Sequence, residues 1–376
     1  MKYPSFIIVA TSALTHQALG ADLLVPSSYS TIQSAIDASA DGDTILVEAG
    51  TYAGPFTISG KGVTLRSLAG PMDTVLTGED SHRVLSLFNV PSTCVIEGFT
   101  IANGAHSDYT GAGGITSIDS SATIRRCRFI RNRSLGCYPQ SAWAAAAFYG
   151  QGGAPIIEGC SFVENSAAYS GSGIYQYLSG TITVRNCDFS MNATGGHGVG
   201  GSPCNYTDNG TIHLQNEGGT VVGVIEQCRF SNTIGYGAQA INTFSPGGVI
   251  DMQVTGCTFS HPDFVDSSNP PYFIPRAPIS CFAYTPGNAV ALSSIRSCGY
   301  PLATFIESGY AATVTNQVEL AQCESPDVDG DGLTTGKELA AVLSSWGTWG
   351  TGQAPDFTAD GIVDGDDLAA VLSTWQ

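Results

Sequence analysis

At 376 residues and 43% hydrophobic content the chain can bury a large core, yet only 12% of it is charged and it holds 46 glycines. That balance suits a glycine-turned β-solenoid better than a helical protein. The formal charge of -18 argues against nucleic acid as a partner, because phosphates call for basic patches, and makes anionic polymers a hard target unless calcium bridges them.

Lys2, the apolar run from Phe6 to Leu14 and the small residues Ala18, Gly20 and Ala21 before Asp22 read as a secretory signal peptide over residues 1–21. Export to the extracellular space or cell surface is the expectation. No later stretch approaches the roughly 18 unbroken apolar residues of a membrane helix, so no membrane span is expected. Next, Ser30-Thr31-Ile32-Gln33-Ser34-Ala35-Ile36 sets Ile32 and Ile36 on one helical face behind a Ser/Thr cap. Such an N-terminal helical cap would cover a first coil whose bare end exposes core and strand edge.

Short β-rich runs follow: Thr44–Val47, Pro55–Ile58, Val63–Arg66, Thr74–Leu76 and Val84–Phe88, broken by Gly, Pro and Asp. Thr31-Ile-Gln-Ser-Ala-Ile-Asp, then Gly42-Asp43-Thr44-Ile45-Leu46-Val47 and Gly50-Thr51-Tyr52, resemble the opening of right-handed parallel β-helix proteins of the pectin-lyase-like superfamily.

A repeat then takes over. Ile124-Arg-Arg-Cys127-Arg-Phe129 returns as Ile157-Glu-Gly-Cys160-Ser-Phe162, Val184-Arg-Asn-Cys187-Asp-Phe189, Ile225-Glu-Gln-Cys228-Arg-Phe230 and Val254-Thr-Gly-Cys257-Thr-Phe259, with Ile96-Glu-Gly-Phe99-Thr-Ile101 as a variant. Successive steps of 28, 33, 27, 41 and 29 residues signal stacked supersecondary units. Cys and Phe, two apart, share a strand face, while the aliphatic residue three before Cys would face away along a straight strand. A corner must therefore sit between them, and Gly, Asn or a polar residue just before the Cys tolerates a left-handed conformation there. Strand, corner, strand, repeated, predicts a parallel β-helix.

The position two before the Cys slot runs Glu97, Arg125, Glu158, Arg185, Glu226, a column of alternating charge that favours one register. Of 11 cysteines, the five in the repeated slot read as stacked buried thiols, since in-register neighbours point the same way and Phe99 replaces one. Cys94, Cys137, Cys204, Cys281, Cys298 and Cys323 could pair. Gly113-Gly114-Ile115, Gly171-Ser-Gly173-Ile174, Phe129-Ile-Arg-Asn132, Phe162-Val-Glu-Asn165 and Phe189-Ser-Met-Asn192 are similar to repeats of bacterial surface β-helix proteins, including polymorphic outer-membrane proteins. The resemblance spans roughly residues 24–300 and implies the fold, which hosts many functions. From Cys257 the regularity decays, and the Pro-rich, aromatic His261–Pro278 reads as a long loop before last coils to about Cys323. The β-helix is thus bounded at 22–323.

The remaining segment, 324–376, carries the strongest chemical motif. Asp327, Asp329, Asp331, Leu333, Thr335 and Glu338 fill a twelve-residue calcium loop: three carboxylates in one concavity, Gly332 at the sharp turn, the Leu333 carbonyl, and Glu338 closing the shell. Asp356, Thr358, Asp360, Ile362, Asp364 and Asp367 repeat the scheme 29 residues later, and Glu338–Trp346 is echoed by Asp367–Trp375. Pro326 and Pro355 precede each first ligand and leave no room for an entering helix. Two Ca2+ ions are expected, in a small α-helical module. Each half, a loop plus one exiting helix, makes the tail resemble dockerin modules, which attach secreted proteins to cohesin partners. That resemblance implies a cohesin-like partner, although Gly336-Lys337 and Gly365-Asp366 stand where cellulosomal members often carry hydroxylated residues.

His197 lies in Gly196-His-Gly198, a triplet found in polygalacturonases of the resembled fold. Those enzymes also need acidic pairs on neighbouring coils, whereas between Gly150 and His197 the acids are Glu158, Glu164 and Asp188, so His197 reads as a loop residue. Lyase chemistry would need acid clusters beside a basic residue, and Arg66, Arg126, Arg131 and Arg133, among others, show no acidic companion motif. Trp143, Tyr149, Tyr169, Tyr175, Tyr177, Tyr206 and Tyr236 could stack on sugar rings. The sequence thus predicts a secreted β-helix binding or scaffold protein, interacting with polysaccharide and carrying a calcium-dependent docking tail. The competing expectation is a polysaccharide lyase or glycoside hydrolase of the same fold.

Overall fold

The computed structural model describes residues 20–107, 110–135, 143–168, 171–194, 210–231, 233, 240–260, 277–283, 286, 288–298, 306–310, 313–315 and 318–321, with 339, 340, 342, 343, 365, 368, 371 and 372 in the tail. Residues 1–19 of the expected signal peptide, His197, residues 261–276 of the expected loop and all twelve expected calcium ligands lie outside the described residues.

Three parallel sheets run the length of the solenoid, with 11, 10 and 9 strands. The first begins at Asp22–Val25, the second at Gly50–Ala53 and the third at Phe56–Ser59. One coil visits each in turn: Phe148–Gln151 in the third, Ile156–Glu158 in the first, Ser161–Val163 in the second. A short fourth sheet joins Ala105–His106, Arg133–Ser134, Ser166–Ala167 and Ala193–Thr194. Nearly every strand is three to seven residues long, too short to bury a face alone, so stability comes from stacking in register.

The expected corner is present. Ile124, Cys127 and Phe129 are all fully buried, although a straight strand would turn Ile124 outward. The bend falls on the residue before each Cys, where φ is 52° at Arg126, 57° at Gly159, 52° at Asn186, 52° at Gln227 and 65° at Gly256. Beyond it, Phe129, Phe162, Phe189, Phe230 and Phe259 occupy matching register positions. Their rings stack with centroids 4.6, 4.6, 4.9 and 4.8 Å apart. Gly173 leaves little room beside this column, since a Cβ there would stand 3.0 Å from the Phe189 ring.

The five cysteines of the slot are free and buried. Each thiol sits near the carbonyl two residues back, at 3.4 Å for Cys127 and 3.2 Å for Cys187, and burial pushes the Cys127 and Cys228 thiols well up. Cys94 and Cys281, read as candidates for bridging, are also buried free thiols, Cys94 as part of the core. Cys137, Cys204 and Cys323 lie outside the described residues.

A second left-handed corner, with φ of 53° at Arg131, 54° at Glu164 and 51° at Met191, precedes a buried asparagine column that pattern reading did not isolate. Asn165 Oδ1 accepts from the Asn132 backbone N–H and from Asn132 Nδ2, both at 3.0 Å. Asn165 Nδ2 in turn donates to the Phe129 carbonyl at 2.9 Å and to Asn192 Oδ1 at 3.0 Å. The side chains thus satisfy corner backbone that no strand can pair.

In the charge column the pairing goes two by two. Arg125 Nη2 meets Glu97 Oε2 at 2.8 Å and Arg185 Nη2 meets Glu158 Oε2 at 3.1 Å. Arg66 belongs to the same column, opposite Glu97, while Arg126 also reaches Glu97, Arg131 pairs with Glu164 and Arg133 with Asp80. The expectation that Arg126, Arg131 and Arg133 lack acidic companions is therefore corrected: their partners lie one or two coils away, out of reach of any local motif. Arg125→Glu should be less stable than Arg125→Ala by about 1 kcal/mol, because it places a third carboxylate between Glu97 and Glu158. Urea midpoints at low salt would measure it, and added salt should narrow the gap, since the Arg125 side chain is 44% exposed. Equal midpoints would remove any energetic role for the column.

The helix Ile32–Ala38 starts at Thr31, which forms a capping box with Ser34. Ile32, Ala35 and Ile36 join the main core. Gln33 mimics a strand: its Oε1 accepts from the Thr57 N–H at 2.8 Å and its Nε2 donates to the Thr57 carbonyl at 3.1 Å. Lys61 Nζ donates to the carbonyls of Ile36, Asp37 and Ser39 at the helix C-terminus.

Candidate functional site

The strand Ile212–Gln215 shows how the third sheet divides its side chains. Ile212 and Leu214 enter the core, so His213 and Gln215 face outward by strand parity. Register places Thr116, Tyr149, Tyr175, His213, Asn242 and Ser280 in one outward row on successive coils. Glu307 follows at the same register position. A parallel row holds Ile118, Gln151, Tyr177, Gln215 and Phe244.

Thr116, Tyr149, Tyr175, His213, Asn242 and Ser280 of the first row are buried, as are Tyr177 and Gln215 of the second. Tyr149, Tyr175 and Tyr177 form a second apolar cluster with Ala112 and Ala145, the Tyr149 and Tyr175 rings meeting edge-on at 5.7 Å. They are therefore not an exposed stacking platform, which corrects the sequence expectation for these three tyrosines. Tyr169, Tyr206 and Tyr236 lie outside the described residues, as does the side chain of Trp143.

Gln215 organises the polar part of the row. Its Nε2 donates to Glu217 Oε1 at 3.2 Å, which fixes the amide so that Oε1 is an acceptor. Into Oε1 the Tyr175 hydroxyl donates at 3.0 Å, and His213 Nε2 stands 3.2 Å away. His213 Nε2 therefore carries the hydrogen, leaving Nδ1 as a bare lone pair. Burial lowers the His213 pKa to about 4, so the ring is neutral. Burial and then the Glu217 carboxylate raise the Tyr177 hydroxyl to about 12.

Four atoms of this row, His213 Nδ1, Asn242 Oδ1 and Nδ2, and Ser280 Oγ, are buried with no hydrogen-bond partner among the described residues. Each such atom costs about 1–3 kcal/mol of desolvation, and native structures rarely leave several together. The location matters too. Between Glu97 and Thr258 every link from first to second sheet is two residues, whereas the long links 195–211 and 261–278 both lead into third-sheet strands, at Ile212 and Ile279. Length variation is thus concentrated where each outward row residue stands one position into its strand, which is where function usually gathers on a rigid scaffold.

His213 gives a pH prediction with a definite sign. Tyr175 packs against its ring and Glu217 lies behind Gln215. Since its folded pKa of about 4 lies below the ordinary 6.5, the unfolded chain binds the proton first as pH falls. Stability should hold above about pH 6.5 and drop by about 3 kcal/mol between there and pH 4. Comparing urea midpoints of the protein with those of His213→Gln isolates this contribution from the carboxylates; identical pH profiles would rule it out.

In the tail, Val342 and Val371 are buried against each other, with Leu339 and Leu368 packed around them. These are equivalent positions of the duplication. Among the described residues no group of three or more His, Cys, Asp or Glu is arranged to hold a metal, and no helix is long and apolar enough to cross a membrane.

Residues 77–259 match the family described as right handed beta helix region. The solenoid is a parallel β-helix. No curated protein matches the chain. Among solved structures, a pectin methylesterase from carrot aligns with 82% of this β-helix chain and 91% of its own, at 11% identity and a TM-score of 0.41.

Sequence reasoning missed His213, Gln215, Asn242 and Ser280. A signal was available: the residue after the first aliphatic of each third-sheet strand, in Ile174-Tyr175, Ile212-His213, Ile241-Asn242 and Ile279-Ser280, reads out the row directly. The Cys–Phe repeat drew attention to the opposite side of the coil.

Proposed function

We propose that this is an exported β-helix that binds polysaccharide along the outer face of its third sheet, closed at its first coil by the helix Ile32–Ala38 and attached through residues 324–376, as a calcium-folded dockerin-like module, to a cohesin-like partner. The observation that carries the binding half is the buried row in which four hydrogen-bonding atoms, His213 Nδ1, both Asn242 amide atoms and Ser280 Oγ, have no partner among the described residues. Glycans present many hydroxyls that both donate and accept, which is what such a row lacks. The helix's pairing of Gln33 with the Thr57 backbone supports its role as a closure, because it occupies an otherwise open strand edge.

Binding is favoured over turnover. Glycoside hydrolysis asks for two facing carboxylates, and among the described residues Glu217 is the carboxylate joined to this network. Isothermal titration against a glycan panel, with unsaturated-product absorbance and reducing ends followed in parallel, tests the proposal. Support would be saturable binding, weakened in the double variant His213→Ala with Asn242→Ala, without product. No binding, or binding that the double variant leaves unchanged, would overturn it.

A further inference from the structure

We infer that the outer face of the first sheet is the interface of a weak, two-fold symmetric dimer, in which a second copy of the chain lies against it with its solenoid axis reversed. The third-sheet row plays no part in this contact.

Two columns on that face alternate in step. Arg66, Glu97, Arg125, Glu158, Arg185 and Glu226 follow one another in register over six coils. Two residues earlier in each strand, and so on the same face, stand Thr64, Val95, Thr123, Ile156, Thr183 and Val224. Every coil with an arginine thus carries a threonine, and every coil with a glutamate a valine or isoleucine. Charge alternation serves the register within one chain, but that role does not ask the second column to alternate with it. All six residues of the second column are partly open to solvent, unlike the buried outward row of the third sheet.

An alternating column of even length is complementary to its own reverse. A two-fold axis running along the strands, between the coils of Arg125 and Glu158, sets column against column with the order inverted. Arg66 then meets Glu226 of the second copy, Arg125 meets its Glu158 and Thr123 meets its Ile156, each contact occurring twice. Threonine faces an aliphatic side chain throughout, and the strands of the two sheets stay aligned, as in ordinary sheet packing. A two-fold along the solenoid axis would instead set each charge against its own kind. Glu97 lies lower than the rest, its carboxylate held by both Arg125 and Arg126. The pairing is therefore carried by Arg66 with Glu226 and by Arg125 with Glu158.

The ends of the column give an independent reason. Arg125 and Arg185 have carboxylate partners within the chain, whereas Arg66 and Glu226 are exposed and make no ion pair among the described residues. They stand five coil steps apart, about 24 Å, and come together only in the reversed pair. Charge balance singles out the same face: these three arginines and three glutamates cancel, in a chain of formal charge -18, so two copies repel least there.

Sedimentation equilibrium of the full chain in calcium-containing buffer, from about 5 to about 500 µM, suits the weak affinity of so small an interface and should show monomer and dimer in equilibrium. Arg66→Glu and Glu226→Arg should each weaken the dimer about tenfold, since each creates two like-charge contacts across the interface. The double variant, Arg66→Glu with Glu226→Arg, should recover to within about threefold. Within one chain the two sites are too distant to compensate each other, and the total charge is unchanged. Glu226→Arg is the sharpest arm, because net charge alone predicts that it strengthens association. Circular dichroism should be the same for all variants, both sites being exposed. A chain monomeric at every concentration, its face then meeting solvent or a different partner, would overturn the inference. A dimer indifferent to both single changes, or a double variant no better than either, would overturn it too.

Discussion

Phe162→Ala should lower the stability of the solenoid by about 3 to 5 kcal/mol. The ring is fully buried and stacked on both faces, with Phe129 and Phe189 each 4.6 Å from its centroid. Its neighbours cannot close the gap, because each is fixed by its own backbone register one coil away. The cavity should therefore persist, which puts the cost at the upper end of the range. Phe162→Leu keeps most of the volume and should cost less, about 1.5 kcal/mol or below. Double substitution of Phe162 and Phe189 should be non-additive, since the residues share one contact. Urea denaturation would read all three, and a Phe162→Ala midpoint unchanged within error would refute the column as a source of stability.

The second large effect concerns calcium. Residues 324–376 hold ten acids, Glu324, Asp327, Asp329, Asp331, Glu338, Asp356, Asp360, Asp364, Asp366 and Asp367, against Lys337 alone. Without a cation these charges repel, and a segment of about 50 residues buries too little apolar surface to oppose them. Its described core is correspondingly small, Val342 and Val371 with Leu339 and Leu368. In the proposed module metal binding supplies the folding free energy. The full chain should bind two calcium ions, and chelation should make the segment after Cys323 sensitive to protease while the β-helix resists. Asp327→Ala with Asp356→Ala should be cleaved there even in calcium. Cleavage that is the same with calcium and with chelator would sink the docking half of the proposed function.

What the sequence made legible was whatever repeats within a coil. Ile124, Cys127 and Phe129 recur at fixed offsets, and offset alone forces the corner at Arg126, because no straight strand buries all three. The alternation of Glu97, Arg125 and Glu158 was equally readable. Contacts made across coils were not. Arg126, Arg131 and Arg133 find their partners at a separation set by the intervening link, and link lengths differ from coil to coil. Asn132, Asn165 and Asn192 stood in the quoted repeats, yet their role depends on each amide reaching the backbone of the preceding coil, which a linear reading does not display. His213 was hidden for a further reason: it shares its row with Thr, Tyr, Asn and Ser, so no single residue type marks the row, and only its position does.

The unequal links have a consequence for how such a chain can change. Between Glu97 and Thr258 the turn from first to second sheet is held at two residues in every coil. One residue added there would invert every side chain of the following strand, sending the phenylalanine out and its polar neighbours in. The links into the third sheet, 195–211 and 261–278 among them, can lengthen or shorten without moving any strand out of step. The solenoid therefore behaves as a reading frame: insertions and deletions are silent at one corner and frameshifting at the other. Descendants of this chain should accumulate their length differences beside His213 and Asn242, where new surface can be tried while the frame beneath stays intact.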